Sequence, residues 1–179
     1  MAEAFSNKVA RAVGVVNTAT GGAIGITTNL ITGISTAGVS INDLVDTGNY
    51  IAGTKVSTIG AGQVTVDRDS TNTASATSQI VRFMQPTVLY TSAVGVKTIL
   101  IGGTFANNTN GQVALTVELF DNSTGISVAL ASKIPVPAGS SFVISDTGKT
   151  LLESLDAIRV YCDTANAIDA NISILTGVN

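Results

Sequence analysis

The stretch VALTVELFDNSTGISVALASK, residues 113–133, decides the fold class. Val113, Leu115, Val117 and Leu119 alternate with Ala114, Thr116, Glu118 and Phe120. Successive side chains of a strand point to opposite faces, so a period of two marks a strand with one buried face. Asp121-Asn122-Ser123-Thr124-Gly125 then supplies residues that tolerate turn backbones. Ile126 to Lys133 brings the chain back, and the two runs make a hairpin.

Working outward, the same grammar repeats. Val88 to Thr91 and Val96 to Phe105 read as strands, and Asn107 to Gly111 is a strong turn. Pro135 to Gly139 is a stiff connector, Ser141 to Ser145 a strand, and Asp146 to Lys149 a turn. Ile158, Val160 and Cys162 alternate with Arg159, Tyr161 and Asp163, and Ile168, Ala170, Ile172 and Ile174 carry the last strand. Lys149 to Leu155 is a short helical-looking corner. Short strands at regular spacing with turn punctuation indicate a sandwich.

The first half is built from shorter pieces. Leu30 to Ser35, Leu44-Val45, Lys55 to Ile59 and Gln63 to Asp67 are strand-like. Asp69 to Ser78 is a polar loop, and Gln79 to Met84 is a strand that ends before Pro86. Proline lacks an amide donor, which suits a boundary between modules. From Val13 to Ile26 the glycines 21, 22 and 25 predict a short strand, Val13 to Asn17, followed by a flexible turn. In Met1 to Arg11, Phe5 and Val9 are four apart, as on one helix face. A docking arm and a frayed terminus both fit. The expected fold is all-β: a small β-barrel-like N-terminal module followed by an antiparallel β-sandwich, Ig-like or jelly-roll-like. The expected divisions are an arm and linker over 1–26, a small β module over 27–85 and a sandwich over 86–179.

Composition narrows the function classes. Of 179 residues, 45% are hydrophobic and only 12% charged, against about 25% charged in a typical globular domain. A disordered chain is excluded, because disorder needs the opposite balance. A surface this poor in charge suits a subunit that covers itself against partners, so a homo-oligomer is expected. The nine basic residues (Lys8, Arg11, Lys55, Arg68, Arg82, Lys97, Lys133, Lys149, Arg159) form no cluster, and the net charge is −3. Nucleic acid is therefore not an expected partner. No run reaches the ~18 apolar residues of a membrane helix, and Met1 to Arg11 lacks a signal-peptide layout. No membrane association and synthesis in a cytoplasm are expected.

No enzyme is expected either. The chain has no histidine and one cysteine, Cys162. A Ser–His–Asp triad and a structural zinc site cannot be built from that set. Cys162 reads as a small buried hydrophobe on a strand. Asp67 and Asp69 flank Arg68 two residues apart, as in a solvated turn where Asp69 bonds backbone amides ahead of it. Asp67, Asp69, Thr71 and Asn72 have a loose calcium-ligand rhythm, but glycine at the sixth position and an acid at the twelfth are missing. Gly21-Gly22 and Gly60-Ala61-Gly62 match no phosphate loop. No catalytic residue, metal ligand or cofactor-binding residue is expected.

Two stretches carry a resemblance. Leu30 to Asp67 (LITGISTAGVSINDLVDTGNYIAGTKVSTIGAGQVTVD) resembles a small β module of phage virion and tail-associated proteins. Leu89 to Leu175 resembles a β-sandwich module of phage structural proteins, on LYTSAVGVKTILIGGTFANNT, VALTVELFD, IPVPAGSSFVIS and LLESLDAIRVYCD. Together they span about two thirds of the chain. The resemblance implies a minor virion structural protein of a tailed, cyanophage-like bacteriophage, made in the host cytoplasm and located in the virion. Capsid, neck or tail subunits would be its partners, in capsid decoration or at the head–tail connection. It brings no catalytic residues. An alternative is a tail-fibre or spike component that binds host-surface glycan, which predicts a cluster of exposed tyrosines from Tyr50, Tyr90 and Tyr161. A depolymerase would require two carboxylates facing each other across a cleft, about 5 to 9 Å apart.

Overall fold

The computed structural model describes residues 3–178, and those residues form fourteen strands and no helix. With no helix, none is long and apolar enough to cross a membrane. The chain divides into two compact units, Val15–Pro86 and a second made of Met1–Gly14 with Thr87–Asn179. The small module is therefore inserted between the first and second strands of the sandwich.

The sandwich has two four-stranded antiparallel sheets. One has β1 (Ala4–Ala10), β14 (Ile168–Val178), β9 (Lys97–Asn107) and β12 (Ser141–Leu152) in that order. The other runs β11 (Ile126–Val136), β10 (Val113–Asp121), β13 (Ala157–Cys162) and β8 (Thr87–Thr91). Counted in chain order within this unit, the sheets read 1-8-3-6 and 5-4-7-2. That is the arrangement of an eight-stranded jelly roll. Its core holds Leu100, Phe105, Leu115, Val117, Ile158 and Ile172, all essentially inaccessible to solvent. They come from the alternating runs read in the sequence, with β10 and β13 each turning every second side chain inward.

Several boundaries differ from the sequence reading. Ala4–Ala10 is not a separate arm but a full strand of the sandwich, matched to β14 over seven consecutive pairs. The four-residue spacing of Phe5 and Val9 fits a helix face, but four is also even, so it fits a strand face equally. Met1 and Ala2 lie outside the described residues. The turn expected at residues 146–149 is a break in register within β12, between Ser145 and Thr150. The helical corner expected over 149–155 begins as strand, up to Leu152. Pro135 lies inside β11, at a sheet edge, where a missing N–H is tolerated.

The inserted unit has β2 (Val15–Ile24), β3 (Leu30–Thr32), β4 (Leu44–Asp46), β5 (Val56–Gly60), β6 (Gln63–Val66) and β7 (Ala76–Gln85). Their order is β4-β7-β2-β3-β6-β5. The two end strands also meet. Val45 N–H donates to Thr54 O and Val56 N–H to Asp43 O, both at 2.9 Å, beside a bridge between Leu44 and Lys55. The sheet thus closes on itself as a six-stranded barrel, and closure removes its open edges. Ile24, Ile31, Val64, Val81 and Phe83 fill the interior. The glycine run expected as a flexible turn is instead the far half of β2. Gly21 sits at φ +83°, and register shifts against β7 fall on either side of Gly22. A Cβ at Gly22 would lie 3.0 Å from Val81 Cγ2, so the run bulges without leaving the sheet.

Tyr50 is buried in this barrel and its hydroxyl donates to Thr28 O at 3.2 Å. Burial, helped by the charge of Asp69, pushes its phenol up to about 12. Tyrosine in an unfolded chain ionises near 10. The folded state therefore keeps this proton longer. Its contribution to stability is complete below about pH 10 and is lost as the pH rises towards 12. A difference titration of tyrosinate absorbance against Tyr50→Phe should place Tyr50 near 12, together with loss of barrel structure. Ionisation near 10 with the fold intact would contradict the buried placement.

Candidate assembly surface

The outer face of the β1-β14-β9-β12 sheet is assembled from residues far apart in sequence. Phe5 pairs with Leu175, Leu175 with Ile99, and Ile99 with Leu151. Ile99 precedes core Leu100 and Leu151 precedes core Leu152, so this row points away from the core. It crosses all four strands without a polar side chain. Phe5 is 76% exposed and Leu151 43%. The next row is Asn7, Ser173, Gly102 and Ser145, small or polar but uncharged. Ser173 Oγ donates to Asn7 Oδ1 at 2.9 Å within it. The third row runs Val9, Asn171, Thr104 and Val143. Three rows thus contain no Asp, Glu, Lys or Arg. Contiguous apolar surface framed by polar residues marks an interaction site more often than scattered exposed leucines do.

Gly102 and Gly103 make this face possible. Leu100 and Phe105 both point into the core although they stand an odd five positions apart, so the strand must change phase between them. The shift falls at Ile101, between Leu100 and Gly102, where β9 loses register with both β14 and β12, and the two glycines follow it directly. A Cβ at Gly102 would lie 2.8 Å from Ile144 O, and one at Gly103 would lie 2.8 Å from Ile172 Cγ2. No larger residue fits at either position without moving a neighbour.

The opposite outer face, on β10 and β13, is chemically different. Glu118 and Arg159 are register partners. The Arg159 guanidinium lies 3.7 Å from the centre of the Phe120 ring, and Tyr161 Oη donates to Glu118 Oε1 at 2.9 Å. Burial pushes the guanidinium below its ordinary value, opposed by Glu118. The guanidinium stacks on the ring, a contact worth about 0.5–2 kcal/mol, while Arg159 Nε is buried without a hydrogen-bond partner.

The acids mostly hold loops. Asp156 is buried and accepts the Asn122 and Glu153 amides, both at 2.9 Å. Asp163 accepts Ala114 N–H, Asp169 accepts Ala12 N–H, and Asp43 accepts Ser40 N–H. In the 67–69 turn the amide bond goes to Asp67, which accepts Lys55 N–H, rather than to Asp69. No group of three or more potential metal ligands gathers among the described residues. Cys162 is buried on β13, donates to Thr164 O at 2.9 Å, and burial raises its thiol pKa, which keeps it unreactive.

The tyrosines do not converge. Tyr50 belongs to the barrel core. Tyr90 packs against the sandwich core with its hydroxyl on Thr98, whereas Tyr161 is on the outer face of β13. A groove of about 560 Å³ does lie beside Asn107, lined by Asn108, Asn110, Ser140 and Ser141. Asn107 itself is committed to structure: its amide donates to Gly111, Val136 and Pro137 carbonyls at 2.7–3.1 Å.

No protein-family model matches the chain, and no curated protein matches it. Among solved structures it is similar to a chain of the T13 particle of infectious bursal disease virus, at 8% identity and a TM-score of 0.34, over 94% of this chain and 70% of that one. Chains of the Gx and Gt strains of the same virus overlap at 14% and 12% identity with TM-scores of 0.30 and 0.28. Each of those matches covers 96% of this chain and 55% of the other, so this chain spans just over half their length. The jelly-roll architecture is defined by the strand order of the two sheets.

Proposed function

We propose that this protein is a non-enzymatic structural subunit of a virion, acting in capsid decoration or as a head–tail, neck or tail accessory through protein–protein contacts. The observation that carries the reading is the block of three charge-free rows on the outer face of the β1-β14-β9-β12 sheet, with Lys97 and Asp169 only at its margins. An uncharged sheet face with an apolar row can be covered by another protein at little desolvation cost. Two further features support it. The jelly roll is a scaffold of viral shells, though lectins use it too. The loop carboxylates are occupied with backbone amides, as suits a rigid part. Its partners would be other virion proteins and further copies of itself.

The test is co-sedimentation with purified particles of the virus that encodes the chain, comparing the native protein with Leu151→Lys. The native chain should travel with particles. Leu151→Lys should change folding stability by no more than about 0.5 kcal/mol. Its incorporation should fall at least about tenfold, because the ammonium would be buried unpaired. A native chain left in the soluble fraction overturns the proposal.

The glycan-binding reading keeps one observation in its favour, the groove lined by amides and hydroxyls at Asn108, Asn110, Ser140 and Ser141. Glycan-array binding that is lost in Asn108→Ala with Asn110→Ala would establish it. No binding on the array would remove it.

A further inference from the structure

Four strands end the two sandwich sheets: β1, β12, β11 and β8. An end strand offers unpaired backbone groups, and proteins blunt such edges with proline, bulges, charge or shortness. β11 has Pro135, two register shifts against β10, and Lys133 at φ +49°. β12 breaks register between Ser145 and Thr150. β8 has five residues, follows Pro86 and shifts register against β13. β1 has no such break: its seven pairs with β14 run without a shift, it contains neither proline nor glycine, and its one charge is Lys8. It also carries two of the most exposed large apolar side chains, Phe5 at 76% and Val9 at 77%.

The outward-facing and terminal positions of this edge are symmetric in chemical type about Asn7. Ala4–Ala10 reads Ala, Phe, Ser, Asn, Lys, Val, Ala. About Asn7, alanine mirrors alanine, an exposed apolar residue mirrors another, and Ser6 mirrors Lys8. A two-fold interface requires that if residue i meets residue j, then j meets i. An antiparallel β1–β1 pair centred on Asn7 meets that condition. It sets Phe5 against Val9 of a second copy on both sides of the axis, an aromatic with a β-branched residue, which is a favourable cross-strand pair. Lys8 is the one charge on the strand. Its ammonium lies 5.8 Å from the Tyr90 ring centre, and in this register it faces Ser6 of the second copy, not the second Lys8.

We propose that β1 pairs antiparallel with β1 of a second copy across a two-fold axis at Asn7, joining two sheets into one of eight strands. The proposal deepens the assembly reading above, on which it rests for its biological role, by naming the interface of the homo-oligomer. The joined sheet sets the two blocks of uncharged rows side by side. A single seven-residue edge buries less than the ~800 Å² per partner of a standard interface. The dimer is therefore expected to be weak and concentration-dependent.

The test is register-specific crosslinking of the full chain. Directly opposed residues in an antiparallel pair have Cα atoms about 4.5–5.5 Å apart, within disulfide range. Asn7→Cys should give a disulfide dimer under mild oxidation. Phe5→Cys should not, since the two equivalent positions would be about 13 Å apart along the strands. The native thiol, Cys162, is buried and does not compete. In light scattering, the native chain should move from monomer to dimer as its concentration rises, and Phe5→Lys should remain monomeric. Equal crosslinking of both cysteine variants, or none by Asn7→Cys, overturns the interface. A trimer or pentamer with no Asn7→Cys crosslink overturns it while leaving the assembly reading intact. Crosslinking by Asn7→Cys in a chain absent from particles supports the interface and removes the virion role.

Discussion

Phe105→Ala should cost the protein about 3–5 kcal/mol, at the upper end of that range. Phe105 is fully buried near the C-terminal end of β9, between β14 and β12, with its ring 6.5 Å from that of Phe142. The core around it is mostly Val, Ile and Leu, because aromatics make up only 4% of the chain. β-branched side chains have few χ1 options, so they relax poorly into the cavity left behind. Native stabilities are only about 5–15 kcal/mol, so this one change should remove a large share. Urea unfolding should show a lower midpoint with an unchanged slope. A loss below about 1.5 kcal/mol would mean that Phe105 does not fill the sandwich core.

The second large effect comes from a polar residue. Asp156→Ala should destabilise by about 3 kcal/mol, from two charge-assisted backbone bonds worth about 1.5–3 kcal/mol each, less what relaxation and water recover. The carboxylate takes the Asn122 amide with Oδ1 and the Glu153 amide with Oδ2, so it ties the β10–β11 turn to the loop before β13. Asp156→Asn keeps one acceptor and should fall in between. Hydrogen exchange should speed most at the Asn122 and Glu153 amides. Unchanged exchange at both would show that the loops are held by something else.

How legible was this in the sequence? Where one strand carries its own pattern, the reading was direct: Val113 to Phe120 and Ile158 to Cys162 alternate, and both are strands of the sandwich. Pro86 also ends the inserted unit, as its missing amide suggested. The failures have a common cause. Strand identity is local, but pairing is not. Nothing within residues 4–10 says that their partner lies at 170–176, so β1 read as an arm. Nothing near Gly14 shows that its N–H donates to Thr87 Oγ1 at 2.7 Å, which stitches together the exit and re-entry of the inserted barrel. The Gly21–Gly25 run read as flexible because its constraint comes from Val81, on another strand.

The candidate surface was the least legible part. Phe5, Ile99, Leu151 and Leu175 stand in four separate segments, and only sheet register sets them in one row. Low charge hinted that some surface is covered, but composition has no address. The one local signal was Gly102-Gly103, a glycine pair inside an apolar run, which marks a bulge or a close backbone approach. It directly follows the phase change at Ile101 that lets both Leu100 and Phe105 fill the core.

The most direct test is to place a photo-crosslinking amino acid at Ile99, within the apolar row, and irradiate intact particles that contain the chain. The account predicts adducts with a structural protein of the particle, lost when Leu151→Lys is introduced in the same chain. Particles in which Ile99 yields no adduct, or in which the chain is absent, would contradict it.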